Sequence, residues 1–520
     1  MKHTPILIVG GSLVGLSAAL FLSWRGIPCI LIEKHQGSSP HPRATGFTEH
    51  TLEYFRAVGI ADQVPQVDSG TRLRRVKAES LSGRWHEETP WTPGEDGSFG
   101  QKASPCRGAA MAQDLVEPIL RKAALNHGAD LRLGVEMRSV VQSDDGIIAQ
   151  VHNRNTGENY TIHADYLIAA DGVDSSIRET LGIARRGVGY LRTLRSVIFR
   201  CAEADTFLDR GVQQFQIDAA GFTAFLTSYG DGRWVLMFDD DQERSKSELA
   251  DSVRKALGRE MEFELLATGR WEMAGRIADQ YSQGRIFLVG DAAHQLPPTR
   301  GGFGANTGID DAYNLAWKLE WVVSGRSMPA LLATYNEERQ PIGWLRHQQT
   351  FIRPDYARWL SEPLDNEILY SDEAMELGQL LRSTAIIGAE SELPPAALPS
   401  EWRGHPGVRA PHAWIKKNGE TISTIDLFTR RFTLISSDDR WIEAAERVVN
   451  EISIEIDIVQ VGKDVTFSTS ETFEQLFGVA FDGVSLVRPD GVVTWRSIAM
   501  TENPAQHLKR VLVQVAALKK

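Results

Sequence analysis

The residues of this chain whose types and spacing could do chemistry are mostly small. Gly10-Gly11-Ser12-Leu13-Val14-Gly15 follows a short apolar run, and Glu33 stands 18 residues beyond Gly15, at the end of a second apolar run. A first glycine permits a tight turn, a small second residue lets the backbone approach a pyrophosphate, and a third glycine lets helix and strand pack closely. The helix that opens there aims unpaired N–H groups at phosphate. Ser12 stands where the pattern has glycine; it is small, and its hydroxyl can itself donate to phosphate. Glu33, with Lys34 after it, is placed to accept from a dinucleotide ribose. Two more acidic turns follow apolar runs. Asp171-Gly172 leads into Ser175, Ser176 and Arg178 at a helix start. Gly290-Asp291-Ala292-Ala293-His294 leads into Pro297-Pro298-Thr299-Arg300-Gly301-Gly302-Phe303-Gly304-Ala305-Asn306, then a helix carrying Asp310, Asp311 and Asn314.

These residues need rigid elements behind them. Residues 6–9, 16–24 and 28–32 read as strand, helix and strand, a βαβ unit. Apolar residues 5–22 also suggest a signal peptide, but Gly10, Gly11, Ser12 and Gly15 break the run, and no small-x-small site precedes Trp24-Arg25. No other stretch is long and apolar enough to span a bilayer. Residues 197–200, 212–217, 222–228 and 233–239 read as strands, with turns at Gly221 and Asp231-Gly232. They predict a sheet roofing a substrate site, with Phe215, Ile217, Phe222, Ala224, Leu226, Trp234, Leu236 and Phe238 as candidates for the inward face. Alternation supplies the faces without saying which meets a substrate. Five prolines between residues 393 and 411 suggest a semi-rigid linker. Beyond it Ile454, Ile456 and Ile458 alternate as a strand. Trp441, Ile442, Ala445, Val448, Val449 and Ile452 share a helix face. Asn503-Pro504 reads as N-cap and first position of a last helix.

Taken in order, GxSxxG with Glu33, D-G-x-x-S-x-x-R at 171–178, and G-D-A-A-H-x-x-P-P, G-G-F-G-A-N and D-A-Y-N-L-A-W-K-L between 290 and 319 resemble the group A flavoprotein aromatic hydroxylases. The likeness runs from residue 1 to about 350 and includes Pro42-Arg43-Ala44 and Met111-Ala-Gln113-Asp-Leu-Val-Glu117. Residues 412–520 resemble the C-terminal domain of the polyketide and phenol hydroxylases, the aklavinone-11-hydroxylase subgroup. Arg409-Ala-Pro-His412, Ser423-Thr-Ile-Asp426-Leu427-Phe428 and the run from Ser485 to Arg496 carry that likeness.

The resemblance implies an α/β fold, α+β in the substrate domain. A Rossmann-like FAD-binding domain (1–180 plus 270–390) would hold an inserted mixed β-sheet substrate domain (181–269). A Pro-rich linker (391–411) and a thioredoxin-like C-terminal domain (412–520) would follow. Lacking any cysteine beyond Cys201, that last domain would be redox-dead. The implied cofactor is non-covalent FAD, with NADPH or NADH and molecular oxygen as co-substrates. The implied reaction is aromatic hydroxylation through a C4a-hydroperoxyflavin. Glu33 would bind the adenosine ribose, with Gly10, Ser12, Leu13, Val14 and Gly15 framing the pyrophosphate. Arg43 and Gln113 would lie along the pyrophosphate and ribityl chain, and Asp291 would accept a ribityl hydroxyl. Pro298 would lie near the flavin edge where oxygen reacts. Backbone N–H groups from Gly302 and Gly304 to Ala305 and Asn306 would stabilise charge on the reduced ring. Asp171, Gly172 and Arg178 would support FAD and the nicotinamide cofactor. Arg300 looks inserted relative to the family loop.

Plainer readings stand beside these. His294 braces a turn more often than it acts as a base, and Asp291 could be a helix N-cap. Arg178 could be a helix-surface charge. Trp317 and Trp321, four apart, suit core packing better than a substrate cage. Glu337-Glu338-Arg339 reads as a solvated face. Arg382 could face the substrate or sit in a salt bridge.

Composition agrees. With 56 basic and 68 acidic residues the net charge is −12, which argues against nucleic acid as the main partner. Cys29, Cys106 and Cys201 are widely spaced and form no CxxC, so a disulfide scaffold is not expected and a reducing cytoplasm fits. No metal-ligand cluster appears. A small aromatic substrate, no membrane, and a monomer or homodimer complete the expectation. Three rivals remain: Baeyer–Villiger or ring-opening oxygenation, a non-catalytic FAD-binding module, and a packing or dimer role for the C-terminal domain.

Overall fold

Strand β1 (Lys2–Val9) pairs in parallel with β2 (Cys29–Glu33) on one side and with strand Asn159–Ala169 on the other. Strands Asp130–Leu133 and Ile286–Leu288 extend this parallel sheet at its two sides. The computed structural model describes residues 2–39, 41, 44–68, 71, 74–90, 103–209, 211–298, 303–362, 367–468 and 471–519. Parallel strands are covered on both faces, which is why these runs are apolar without alternation. The helices that bear on the site are α1 (Leu13–Trp24), α2 (Glu49–Ala57), α3 (Gln113–Asn126), α4 (Ser176–Thr180), α5 (Lys246–Leu257), α6 (Phe303–Val323) and α7 (Ala333–Phe351). Helix α1 leaves β1 through Gly10 and returns the chain to β2, giving the expected βαβ unit. No helix among the described residues is long and apolar enough to cross a membrane.

The second sheet has eight strands, ordered His294–Gln295, Glu264–Ala278, Arg185–Arg200, Arg233–Phe238, Phe222–Ser228, Val212–Ala219, Arg74–Ala78 and Trp85–Pro90. Two of them come from residues 74–90, far from the others in sequence. Helix α5 covers one face of this sheet. Leu249, Val253, Ala256 and Leu257 meet Phe215, Ile217, Ala224, Leu226, Trp234, Leu236 and Phe238, with Phe222 packed at the edge. The eight side chains expected to face a substrate therefore build the core beneath α5 instead. Alternation decides which residues share a face but not what covers it, and an amphipathic helix after the hairpins needs an apolar platform.

The opposite face carries two rows across the ladder. One runs Ser196, Met237, Phe225 and Gln216; the other runs Ile198, Val235, Thr227 and Gln214. This face turns toward the first sheet. Arg233 beside it pairs with Asp114 in the first turn of α3 at 2.6 Å, and Ser196 Oγ lies 2.8 Å from His41 Nε2.

Residues beyond 412 form a four-stranded mixed sheet, ordered Ile456–Gln460, Phe432–Ser436, Val484–Val487 and Val493–Ser497, with helices Asp439–Ile452 and Pro504–Val515. That is a layout of thioredoxin type. Its core admits two visitors from α6: Trp317 and Trp321 are fully buried against Phe432. The proline-rich stretch is packed rather than free, with Ala396, Trp402, Val408 and Ala410 buried and the Trp402 indole donating to Gly378 O at 2.7 Å. Glu338 and Arg339, expected on a solvated face, are buried too. Each has found opposite charges inside the protein, as burial of charge requires.

Candidate functional site

Gly10 turns at φ +108°, a conformation that favours glycine, and a Cβ there would lie 2.1 Å from Ala170 O. A Cβ on Gly15 would lie 1.9 Å from Gly10 O, so α1 enters the turn as closely as backbone allows. The first intrahelical bond of α1 is Leu16 N to Ser12 O. The N–H groups of Leu13, Val14 and Gly15 therefore have no helical carbonyl to meet, and no acidic residue occupies the first turn. Ser12 differs from expectation. Its hydroxyl donates to Glu117 Oε1 at 2.7 Å and accepts from Gln113 Nε2 at 2.8 Å. The serine proton is thus taken, and the turn offers an anion its backbone N–H groups. Glu33 stands beside it, with Oε2 accepting from Gly11 N at 2.7 Å and Oε1 from His35 N at 2.8 Å; Lys34 is exposed.

Three other motifs converge on this turn. The Gly290–Ala292 turn carries Asp291 half-buried, and a Cβ on Gly290 would lie 3.0 Å from Val14 Cγ2. Gly308 of α6 approaches the same Val14, where a Cβ would lie 2.5 Å from Cγ2 and 2.9 Å from Gly290 Cα. Asp171 Oδ2 accepts from Ile177 N at 3.3 Å at the start of α4, and burial raises its carboxyl above the usual range. Gly172 turns at φ +84°. Arg178 is buried rather than a surface charge: its guanidinium donates to Val173 O and Ala292 O, at 3.2 Å each, and so joins the Asp171 and Asp291 turns.

Around the start of α6 the side chains are braces. Asn306 Oδ1 accepts from Thr48 N at 3.1 Å and Thr51 Oγ1 at 2.6 Å, and its Nδ2 donates to Gly46 O at 3.2 Å. The amide is committed to α2 and its approach, which leaves the backbone to act on a ligand. A Cβ on Gly304 would meet no atom within 4 Å, so that turn faces open space. Ala305 is half-buried against the first core. Pro298 is exposed, with its carbonyl accepting from Tyr356 Oη at 2.6 Å. His294 is fully buried and braces the turn, its Nε2 2.7 Å from Asp311 Oδ2. Burial alone would raise the Asp311 carboxyl, but His294 and Arg339 more than offset it and hold it below the usual range. Arg382 donates from Nε and Nη2 to the carbonyls of Glu390 and Leu393, at 3.1 and 2.5 Å, in place of the expected salt bridge; a flexible cation beside a proline-rich turn satisfies the carbonyls that prolines cannot pair. Arg43, Thr299, Arg300 and Gly302 lie outside the described residues.

Sequence reasoning passed over Glu117, Thr48, Thr51, Ser196 and His41. Gln113 and Glu117, four apart on α3, carried a usable signal, since residues at that spacing share a helix face. Threonines and a lone histidine carried none. It also passed over Glu49, in the first turn of α2. Burial and then the nearby Glu53 carboxylate push its carboxyl up to about 8. The folded protein therefore holds a proton that the unfolded chain releases near its ordinary carboxylate value. Stability should fall as pH rises through that interval and level off above about 8. Glu49→Gln is expected to flatten this decline. Urea midpoints at about pH 5.5 and about pH 8.5 check it; an undiminished slope in the variant would assign the decline elsewhere.

These residues fit a dinucleotide cofactor. Added Cβ atoms would close the cradle at Gly10, Gly11 and Gly15, whereas Gly304 faces space that a planar ring could fill. Comparison with known proteins agrees. Residues 3–350 match the family described as FAD binding domain, and residues 403–517 that described as aromatic-ring hydroxylase, C-terminal. The chain is 35% identical to tetracenomycin A2 monooxygenase-dioxygenase of Streptomyces glaucescens, over 99% of this chain and 97% of the relative. It is 37% identical to 4-methyl-5-nitrocatechol 5-monooxygenase of a Burkholderia species, over 98% and 97%. Among solved structures, aklavinone-11 hydroxylase in complex with FAD and aklavinone superposes with a TM-score of 0.89 at 31% identity, over 99% of each chain.

Proposed function

We propose, from the premise that the chain belongs to the FAD-dependent aromatic-ring hydroxylases, that this monooxygenase spends NADPH or NADH and molecular oxygen to hydroxylate a phenolic or polycyclic polyketide aromatic. The observation that carries the reading is the convergence of the Gly10–Gly15 turn, the Asp171 and Asp291 turns and the start of α6, on the side of the second sheet that faces away from α5. Bound FAD supplies electron transfer and oxygen activation. The residues do the rest. Glu33 accepts from ribose hydroxyls, and the first-turn N–H groups of α1 meet the pyrophosphate. Asp291 accepts from the ribityl chain, with Arg178 fixing its turn against the Asp171 turn. The start of α6 stabilises negative charge on the reduced ring through its N–H groups, as a helix N-terminus does. Ile198, Phe225, Val235 and Met237 offer an aromatic a flat apolar bed that keeps water away, while Ser196 Oγ, beside His41 Nε2, offers a phenol a polar contact.

Purified protein loaded with FAD should oxidise NADPH or NADH faster when a phenol or anthraquinone is added, and the product should gain one oxygen on the ring. No oxidation of NADPH or NADH with any substrate tried would favour a non-catalytic FAD-binding role. A lactone or opened ring would favour the rival oxygenations.

Choice of sheet face gives a sharp contrast. Met237→Trp should raise KM for a polycyclic substrate at least about tenfold with FAD content unchanged, since the new bulk enters the bed. Leu236→Ala, one residue earlier and beneath α5, should cost about 2–5 kcal/mol of stability and leave KM alone. Reversed effects would return the site to the other face.

A further inference from the structure

Helix α6 belongs to two cores. Its first turn holds Gly304 and Asn306, while Trp317 and Trp321 near its end are fully buried in the C-terminal core. The C-terminal part also grips α2, the helix that holds Asn306. Arg409 Nε and Nη2 donate to the two oxygens of Glu53 at 2.7 and 2.5 Å, and Nη2 also reaches Ala103 O at 3.0 Å. Glu53 is buried and takes one further bond, from Ser104 Oγ. Four and five residues earlier, across about one helical turn, Glu49 and Thr48 open α2, and Thr48 and Thr51 close on Asn306. A cavity of about 40 Å³, lined partly by His50, Tyr54, Asp310 and Arg409, lies between α2 and α6. Packing is therefore incomplete there, and the paired charges must hold what apolar contact does not.

We infer that Arg409 is a positioning residue for the flavin-facing end of α6, acting through Glu53, α2 and the Thr48–Thr51–Asn306 clamp. A domain with no cysteine for redox work would thus tune the cofactor by holding the helix that faces it. Fork-to-carboxylate geometry suits this role, because two parallel bonds fix orientation as well as distance. Losing the guanidinium leaves a buried carboxylate with Ser104 alone, and α2 must turn to rehydrate it. That rotation carries Thr48 and Thr51 away from Asn306.

The inference rests on the proposed placement of the flavin at α6, and the test separates the two. Apoprotein is titrated with FAD, following flavin fluorescence and the visible spectrum, for Arg409→Met, Arg409→Lys, Arg25→Met and Gly304→Val. Arg25 docks the same C-terminal part at the far end of α1, through Thr429 O and Pro489 O, and pairs with Glu320 near the far end of α6. Arg409→Met should weaken FAD about tenfold and shift the flavin bands, with Arg409→Lys in between. Arg25→Met should lower the apoprotein Tm by a similar amount and keep wild-type FAD affinity. Equal FAD affinity in Arg409→Met, Arg25→Met and wild type, with Tm alone falling, overturns the inference. Gly304→Val should exclude FAD; if it binds normally, the flavin placement fails and the inference with it. Should Arg409→Met not fold, Glu53→Gln removes the charge at constant shape. It is expected to weaken FAD several-fold, and wild-type affinity there counts against the proposal.

Discussion

Gly15→Ala should abolish FAD binding at any practical concentration, a loss of at least about a hundredfold. Gly15 lies inside α1, where alanine is the preferred residue, so the backbone conformation costs nothing. The whole effect is steric. A Cβ would sit 1.9 Å from Gly10 O and 2.9 Å from Gly10 C, and both are backbone atoms that cannot swing aside. Relief requires α1 to move off the turn, which withdraws the N–H groups of Leu13, Val14 and Gly15 and pushes Val14 out of its contacts with Gly290 and Gly308. Overpacking of this kind costs about 1–3 kcal/mol or more, and here that cost falls on the surface expected to bind pyrophosphate. Gly26→Ala is the matched comparison. Gly26 has φ +80° at the other end of the same helix, and a Cβ there meets nothing within 4 Å. It should lose about 1 kcal/mol of stability for the left-handed conformation and bind FAD normally. Titration of the two apoproteins decides the matter: near-normal FAD affinity in Gly15→Ala would mean that the pyrophosphate lies elsewhere.

What was legible in the sequence follows a physical division. The glycine turn, β1, α1 and β2 could be read because local backbone rules fix them: tight turns need glycine, and buried parallel strands need continuous apolar runs. The last helix was legible for the same reason, with Asn503 accepting from Gln506 N as its N-cap and Pro504 after it. Family membership was legible because several such local rules occur in one order, and the family matches bear it out. What could not be read depends on partners distant in sequence. Phe215 and Met237 both lie on strands of one sheet, and only the position of α5 tells core from bed. Glu338 and Arg339 look like surface charges until Arg488, 150 residues away from Glu338, enters the interior to meet it. Asn306 reads as a backbone donor because of its glycine-rich neighbours, and nothing in the sequence tells that Thr48 and Thr51 claim its side chain.

Glu338 is the centre of the joint between the two cores, and its removal should have the largest effect on stability. Its carboxylate accepts from Arg488 at 2.7 and 3.0 Å, Lys318 at 2.9 Å, Asn314 at 2.8 Å and Ser383 at 2.6 Å, and all but the half-buried serine are buried. Burial would raise this carboxyl, but Arg488 and Lys318 reverse that and hold it far below the usual carboxylate range. Desolvation brings Lys318 down to about 8 even with Glu338 in place. Glu338→Leu leaves two buried cations facing Asp490 alone. Breaking a buried pair from one side costs about 3–5 kcal/mol, so the urea midpoint should fall steeply and the lysine should lose its proton near neutrality. The test lies in the second substitution. Lys318→Met removes the cation that Asp490 cannot serve, because Arg488 already takes both Asp490 oxygens at 3.0 and 2.8 Å. Added to Glu338→Leu, it should restore most of the lost stability, although Lys318→Met alone is destabilising. Buried charge networks behave this way when their cost lies in what is left unpaired rather than in what the pair contributed. If the two losses add instead, Lys318 and Glu338 do not share one electrostatic account. The joint would then be held by Trp317 and Trp321 in the C-terminal core, and the charges around Glu338 would merely fill the space between.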